Sequence, residues 1–304
     1  MLRTAVLSFF GGIALVGCEE PIELDIALRK PQLVIQSNFM PDEAVRLRVS
    51  ASRPSGGASV VVDDATVTLY EEDEFVEELT YVREPAEAIS GGGYYQTAAF
   101  RPQIGERYTV HVSGDGYDPV TAVSSIPQPV PFTDLRMTSF SSARRDGKRL
   151  YAMHLDVGYA DPGDEVNYYD LRIYQRVVPF EVTARGDTTL LPAMLKTVGA
   201  PGRVQQTDKT LSLLLQDVGV AGSIGVDVQS QLDATKELLS EVVIELRTVS
   251  PEYYLFQRSL GPKLSSPAGG LHEPVILFNN VESGLGIFAG YTATRASLPI
   301  TAVR

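Results

Sequence analysis

The sequence predicts a mainly β protein: two antiparallel β-sandwich-like domains in tandem, with one short helix near residues 251–260. Three observations carry that reading. Apolar and polar residues alternate with a period of two along many short runs, the pattern of half-buried strands. Clusters of Gly, Pro, Asn and Asp separate the runs, as turns do in a sandwich. Between two groups of runs, Ile126-Pro127-Gln128-Pro129-Val130-Pro131 sets prolines at alternate positions, which favours an extended linker and opposes a central strand.

The strands are preceded by MLRTAVLSFFGGIALVGC. Arg3 gives it a positive start, and Ala5 to Val16 form a short apolar core. A secretory signal has this form, with an apolar run of roughly 7–15 residues and small residues at the cleavage point. A spanning helix needs about 20 apolar residues. Here the run ends at Cys18, and Glu19, Glu20, Glu23 and Asp25 follow, a charge density that hydrocarbon does not accept. Leu15-Val16-Gly17-Cys18 resembles a bacterial lipobox: an aliphatic residue, a tolerant position, a small residue, then Cys. The motif implies a lipoprotein signal peptide over 1–17, cleavage before Cys18, and acylation of the Cys18 thiol and of its new amino group with palmitate-type chains. Two or more chains anchor a protein stably where one binds only marginally. Cys18 is the single Cys in 304 residues. An ordinary signal with a chance Cys would leave an unpaired thiol in an oxidising compartment without explanation. Residues 18–31 then read as the lipidated Cys and an acidic tether.

Beyond the tether the chain is too long for one average domain and suits about two. Its 44% apolar content is enough for a sizeable core. The formal net charge of −12 argues against nucleic acid, whose phosphates call for basic patches. The basic run Arg144-Arg145-Asp146-Gly147-Lys148-Arg149 reads as the tip of a hairpin.

The first domain is expected over 32–127, as an antiparallel sandwich that resembles immunoglobulin- or transthyretin-like domains. Val45, Leu47 and Val49 alternate with polar residues, as do Ala65, Val67 and Leu69, and Tyr108, Val110 and Val112. The expected core includes Val34, Val45, Leu47, Val67, Leu69, Tyr108 and Val110. The second, β-rich domain is expected over 128–304. Tyr151, Met153, Leu155, Val157 and Tyr159 share one strand face, and Asn167 to Val178 reads as the partner strand across Asp161-Pro162-Gly163-Asp164-Glu165. Leu211 to Leu215 suits a strand, and Gln231 to Leu239 is mildly helical. Val242, Ile244 and Leu246 resume alternation. Ser250-Pro251-Glu252 marks a helix start, with Ser as N-cap and Pro at the first helical position. Gly261-Pro262 is its expected stop. Pro274 to Phe278 and Leu285 to Tyr291 read as final strands.

Taken in order, several segments resemble one family. They are the lipobox with its acidic start, Leu33-Val34-Ile35-Gln36-Ser37-Asn38, Ala65-Thr66-Val67-Thr68-Leu69 and Gly105-Glu106-Arg107-Tyr108-Thr109-Val110. Asp161-Pro162 with Asn167-Tyr168-Tyr169, Ser250-Pro251-Glu252-Tyr253-Tyr254 and the stretch from Asn279-Asn280 to Ile287-Phe288 complete the series. Together they are similar to the Bacteroidota lipoproteins grouped as domain of unknown function 4249. The resemblance implies an outer-membrane lipoprotein, often encoded beside TonB-dependent receptors, with no established activity and no catalytic residues to carry over. The acidic residues after Cys18 resemble the surface-export signals of such lipoproteins, so of the two faces of the outer membrane, periplasmic and surface, the surface is favoured.

Catalytic and metal-binding constellations are poorly represented. His111, His154 and His272 are the only histidines and lie far apart. His272-Glu273-Pro274 lacks the second His of a zincin helix. There is no G-x-S-x-G elbow. Gly284-Leu285-Gly286-Ile287-Phe288-Ala289-Gly290 has the wrong spacing for a dinucleotide loop, and its glycines read as a bulge or tight strand crossing. Asp161, Asp164 and Glu165 fit a turn better than a calcium loop. No cofactor and no metal is expected. Three adjacent tyrosine pairs remain. Neighbours on a strand point to opposite faces, so Tyr94 or Tyr95, and Tyr168 or Tyr169, are candidates for contact with a sugar or a partner. The expected protein is thus not an enzyme. It is an accessory or binding module held to the membrane by Cys18, beside a TonB-dependent receptor; direct capture of carbohydrate or nutrient is the alternative.

Cys18→Ser is expected to abolish incorporation of labelled palmitate and to move the protein from the membrane fraction to the soluble fraction. Undiminished labelling would place the lipid elsewhere.

Overall fold

A computed structural model describes residues 30–53, 59–85, 92–163, 165–183, 185–198, 211–216, 222–265 and 277–300. The signal peptide, Cys18 and nearly all of the tether lie outside the described residues, as does His272. Residues 31–304 form one compact unit.

The chain opens with β1 (Leu33–Phe39), β2 (Arg46–Ala51), β3 (Val60–Val61), β4 (Thr66–Glu71), β5 (Glu74–Glu78), β6 (Thr80–Arg83), β7 (Gly93–Gln96), β8 (Arg107–Ser113) and β9 (Val120–Ser125). After the proline segment come β10 (Phe132–Arg145), β11 (Lys148–Tyr159), β12 (Tyr168–Val182), β13 (Thr188–Leu190), β14 (Met194–Thr197), β15 (Leu211–Gln216), β16 (Ser223–Asp233) and β17 (Glu237–Val249). The helix α1 (Pro251–Ser265) precedes β18 (Val281–Glu282) and β19 (Leu285–Pro299).

A main sheet runs β13-β12-β17-β19-β1-β2-β7-β6, with β14 and β15 also on β12 and β3 on β2. Two smaller sheets, β18-β9-β8-β4-β5 and β10-β11-β16, pack on it. Leu33, Ile35 and Phe39 of β1, with Leu47 and Val49 of β2, bury against Val67, Leu69, Tyr108, Val110 and Val112. Tyr169, Leu171 and Ile173 of β12, with Val242, Ile244 and Leu246 of β17, bury against Tyr151, Met153, Leu155, Val157 and Val228. The fold is therefore mainly β and sandwich-like, as the alternation predicts. Both sandwiches share the main sheet.

The strand that joins them is β19. Its first part runs parallel to β1, from Val34↔Leu285 to Phe39↔Gly290. Its second part is antiparallel to β17, from Val249↔Tyr291 to Glu241↔Pro299. The all-antiparallel expectation thus has one exception, made by strands from opposite ends of the chain. Glycine permits the junction. Gly286 has φ of 119°, and a Cβ there would sit 1.9 Å from the Ile35 carbonyl oxygen. A Cβ on Gly290 would sit 2.3 Å from the Ser125 carbonyl oxygen. These glycines mark the tight strand crossing read from the sequence. Asn280 seals it like an extra ladder rung. Its Nδ2 donates to the carbonyls of Val123 (3.1 Å) and Phe288 (2.8 Å), and its Oδ1 accepts from the Phe288 amide (3.1 Å).

Several local expectations need correction. Val34 is half-exposed, while Leu33 and Ile35 are buried; a run of three apolar residues does not fix its own register, and β19 does. The strand over 168–182 does not pair with β11. It pairs with β13, β14, β15 and β17. The connection crosses between sheets because Pro162 has no amide to continue a ladder, and Asn167 Nδ2 pins the turn by donating to the carbonyls of Pro162 and Glu165. Gln231 to Leu239 is the end of β16, a turn and the start of β17 rather than a helix, and it carries the chain from one sheet to another. Asp233 Oδ1 accepts from the Thr235 amide at 2.9 Å, an Asx turn that reverses the chain. The helix runs past Gly261-Pro262 to Ser265; a Gly and a Pro penalise a helix without forbidding it. Phe278 lies in a loop, and residues 274–276 lie outside the described residues. The basic run does form a hairpin tip, with Asp146 and Gly147 both at positive φ between β10 and β11.

Gly286→Ala is expected to cost about 3 kcal/mol or more, combining left-handed strain with a backbone clash. Gly163→Ala, which meets nothing within 4 Å, should be near neutral. Urea midpoints of the two variants against the parent check the contrast.

Candidate functional site: an arginine cleft

The other face of the main sheet carries charge. On β12 the order is Asp170-Leu171-Arg172, and on β17 it is Glu245-Leu246-Arg247. Residues i and i+2 of a strand share a face, so each Leu buries in the second core and each acid–Arg pair turns the other way. The antiparallel register sets Asp170 opposite Arg247 and Arg172 opposite Glu245. Arg172 Nε donates to Asp170 Oδ2 at 2.8 Å, and Arg247 Nε to Glu245 Oε1 at 2.6 Å. Arg295 of β19, directly across from Glu245, donates to its other oxygen. Both carboxylates are fully buried.

The helix completes the lattice. Ser250 caps it, accepting from the Tyr253 amide on Oγ and from the Tyr254 amide on its carbonyl. That fixes Tyr253 over the sheet. Its hydroxyl donates to Asp170 Oδ2 at 2.8 Å and accepts from Arg172 Nη2 at 2.8 Å, with Arg247 Nη1 at 3.4 Å. Ser212 of β15 donates to Asp170 Oδ1 at 2.5 Å. Burial works against the charge on Arg172 and Arg247, but Tyr253 and the paired carboxylates outweigh it and hold both above the ordinary arginine range. Burial likewise pushes Glu245 up, and Arg247 and Arg295 more than reverse it, so its carboxyl lies below the usual glutamate value. Burial first, and Asp170 next, push the Tyr253 phenol above its usual range.

Beside this lattice opens a cleft of about 530 Å³. Arg172 and Arg247 form one side, Arg46 and Arg48 of β2 another, and Tyr94, Gln36 and the α1 residues Phe256 and Gln257 complete it. Arg48 Nη2 donates to both oxygens of Glu84, at 3.0 and 3.1 Å. The Arg46 guanidinium lies 5.1 Å from the centre of the Tyr94 ring. A second cavity, of about 680 Å³, has a neutral lining that includes Ser141, Tyr151, Gln175, Gln229, Ser230 and Gln231.

Of the four candidate tyrosines, Tyr94 lines the cleft. Tyr95 is buried, its hydroxyl donating to the Val62 carbonyl and accepting from the Ala65 amide. Tyr168 is half-buried and packs on Tyr254 with ring centres 4.7 Å apart. Tyr169 is buried and donates to Asp161. Each pair thus splits between faces, and the four do not converge. His111 lies 2.7 Å from the Thr121 hydroxyl, and His154 lies 2.7 Å from Asp227, which raises its pKa. These two histidines belong to different sheets. Among the described residues, no group of three or more His, Cys, Asp or Glu is placed to hold a metal.

Sequence reasoning missed the four arginines. For Arg172 and Arg247 the signal was present in the repeated acid-Leu-Arg triplets, which fall on two neighbouring strands. Assigning 168–178 to the wrong partner strand concealed that the triplets face each other.

A family model described as Domain of unknown function (DUF4249) matches residues 19–297. No curated protein matches the chain.

The unfolded chain protonates Glu245 near the ordinary value of 4.5, and the folded chain only at lower pH. The stabilisation from this group is therefore complete above that value and is lost as pH falls below it. Glu245→Gln leaves two guanidiniums without their carboxylate and is expected to cost about 3 kcal/mol at neutral pH, with a shallower acid limb. Denaturant titrations across the acid range check both the size and the slope.

Proposed function

The chain belongs to the DUF4249 family, a domain of unknown function, and from that premise we propose a non-enzymatic, lipid-anchored lipoprotein of the outer membrane. It serves as a binding module of a TonB-dependent nutrient-uptake system. Anchoring rests on the lipobox Leu15 to Cys18 and the acidic stretch after it.

The binding role rests on one observation: the arginine cleft beside α1. Arg172 and Arg247 are held in the charged form by Tyr253, Asp170 and Glu245. A guanidinium so fixed neither accepts nor releases a proton near neutral pH, so it suits recognition and not general acid–base work. Asp170 and Glu245 accept hydrogen bonds from their arginines.

A second reading is direct capture of carbohydrate. The neutral cavity favours it, because the amides of Gln229 and Gln231 and the hydroxyl of Ser141 match sugar hydroxyls, with Tyr151 as an aromatic surface.

Affinity isolation of the tagged lipoprotein from gently solubilised outer membranes tests the accessory role. A near-stoichiometric TonB-dependent receptor is the expected outcome. Recovery of the lipoprotein alone, together with retention on immobilised glycans, favours the second reading.

A further inference from the structure

We propose that the arginine cleft binds a small soluble oxyanion, a carboxylate or phosphate monoester on a ligand that also carries a hydroxyl or amine donor. The inference rests on the binding role above and names its ligand class.

Charge is the first argument. Four guanidiniums at the cleft, Arg46, Arg48, Arg172 and Arg247, face three carboxylates that hold them, Glu84, Asp170 and Glu245. One positive charge remains beyond balance, and Arg295 beside Glu245 adds another. This excess stands in a chain whose formal net charge is −12. A surface so acidic repels anions at long range, so attraction to one is local to the cleft.

Unspent hydrogen-bonding capacity is the second argument. The side chains of Arg172 and Arg247 are only 15% and 13% exposed. Arg172 uses Nε and Nη2, and Arg247 uses Nε and, weakly, Nη1. That leaves Nη1 of Arg172 and Nη2 of Arg247 without a protein partner among the described residues. Arg46 has no carboxylate partner there either, only the Tyr94 ring. Guanidinium forks match carboxylate and phosphate geometry, and their rigid fixation lowers the ordering cost of binding.

Gln257 lines the α1 side of the cleft, and its Oε1 is buried without a hydrogen-bond partner among the described residues. An N–H or O–H on a ligand bound beside it would satisfy that acceptor. The volume, about 530 Å³, suits a small molecule of monosaccharide to disaccharide size rather than a polymer. Anionic sugars and hydroxy acids combine the two demands.

The test is calorimetric titration of the full-length protein in detergent at low salt. The probes are galacturonate, citrate and glucose 6-phosphate, with glucose as the uncharged control. Saturable binding of at least one charged probe, and not of glucose, is expected. Galacturonate or citrate alone identifies a carboxylate ligand; glucose 6-phosphate alone identifies a phosphate. Arg172→Lys keeps the charge and loses the fork, and it should weaken binding about tenfold while lowering the melting temperature, because its bonds to Asp170 and Tyr253 belong to the buried lattice. If that variant fails to fold, Arg46→Ala and Gln257→Ala decide, each weakening binding several-fold. Absence of saturable binding by the folded protein, or affinity unchanged in the folded variants, overturns the proposal. Co-isolation of a receptor with a protein that binds no anion would leave the accessory role standing and remove this ligand. Equal binding of glucose would shift support to the neutral cavity.

Discussion

The structure depends on one shared strand. β19 gives its first six residues to β1 in parallel register and its last nine to β17 in antiparallel register. Backbone hydrogen bonds are obligatory for buried strands, so neither half of the main sheet is complete without it. The close approach at Gly286 and Gly290 admits no side chain. The Asn280 amide bonds to both Val123 and Phe288 and ties β19 to β9 as well. One sheet therefore supports two cores on one side and frees the other side for α1 and the cleft.

That second side follows different chemistry. On that side too, β17 is covered, and it is buried on both faces from Val242 to Leu246. Simple alternation would place apolar residues on both. Instead Asp170, Glu245, Arg172 and Arg247 are there, each acid matched to more than one donor. An apolar packing of equal volume would serve stability as well or better. What the charged lattice adds is a fixed set of donors at the wall of an open space.

The strands and their cores were legible because period-two patterning is local. Val45, Leu47, Val67, Leu69, Tyr108 and Val110 are all buried as read. The helix start was legible for the same reason, since Ser250 and Pro251 act within one turn. Pairings between distant strands were not. Nothing local says that residues 168–178 leave β11 for β17, or that β1 lies beside the last strand. The cleft is assembled from β1, β2, β7, β12, β17, β19 and α1, so it inherits that non-local character. Its arginines look like ordinary solvent-facing residues until Gln36 is set beside Arg48, and Asp170 beside Arg247.

The parallel pairing also sets an order in time. Val34 and Leu285 are partners although 251 positions separate them. A chain emerging from the ribosome makes β1 almost at once and then holds it without its neighbour until nearly the last residues appear. Closing so long a loop is entropically costly, and such contacts form late. The first sandwich is thus completed by the final strand rather than by its own segment, and the cleft exists only in the finished chain. Changes in β19 therefore act on both cores and on the cleft together.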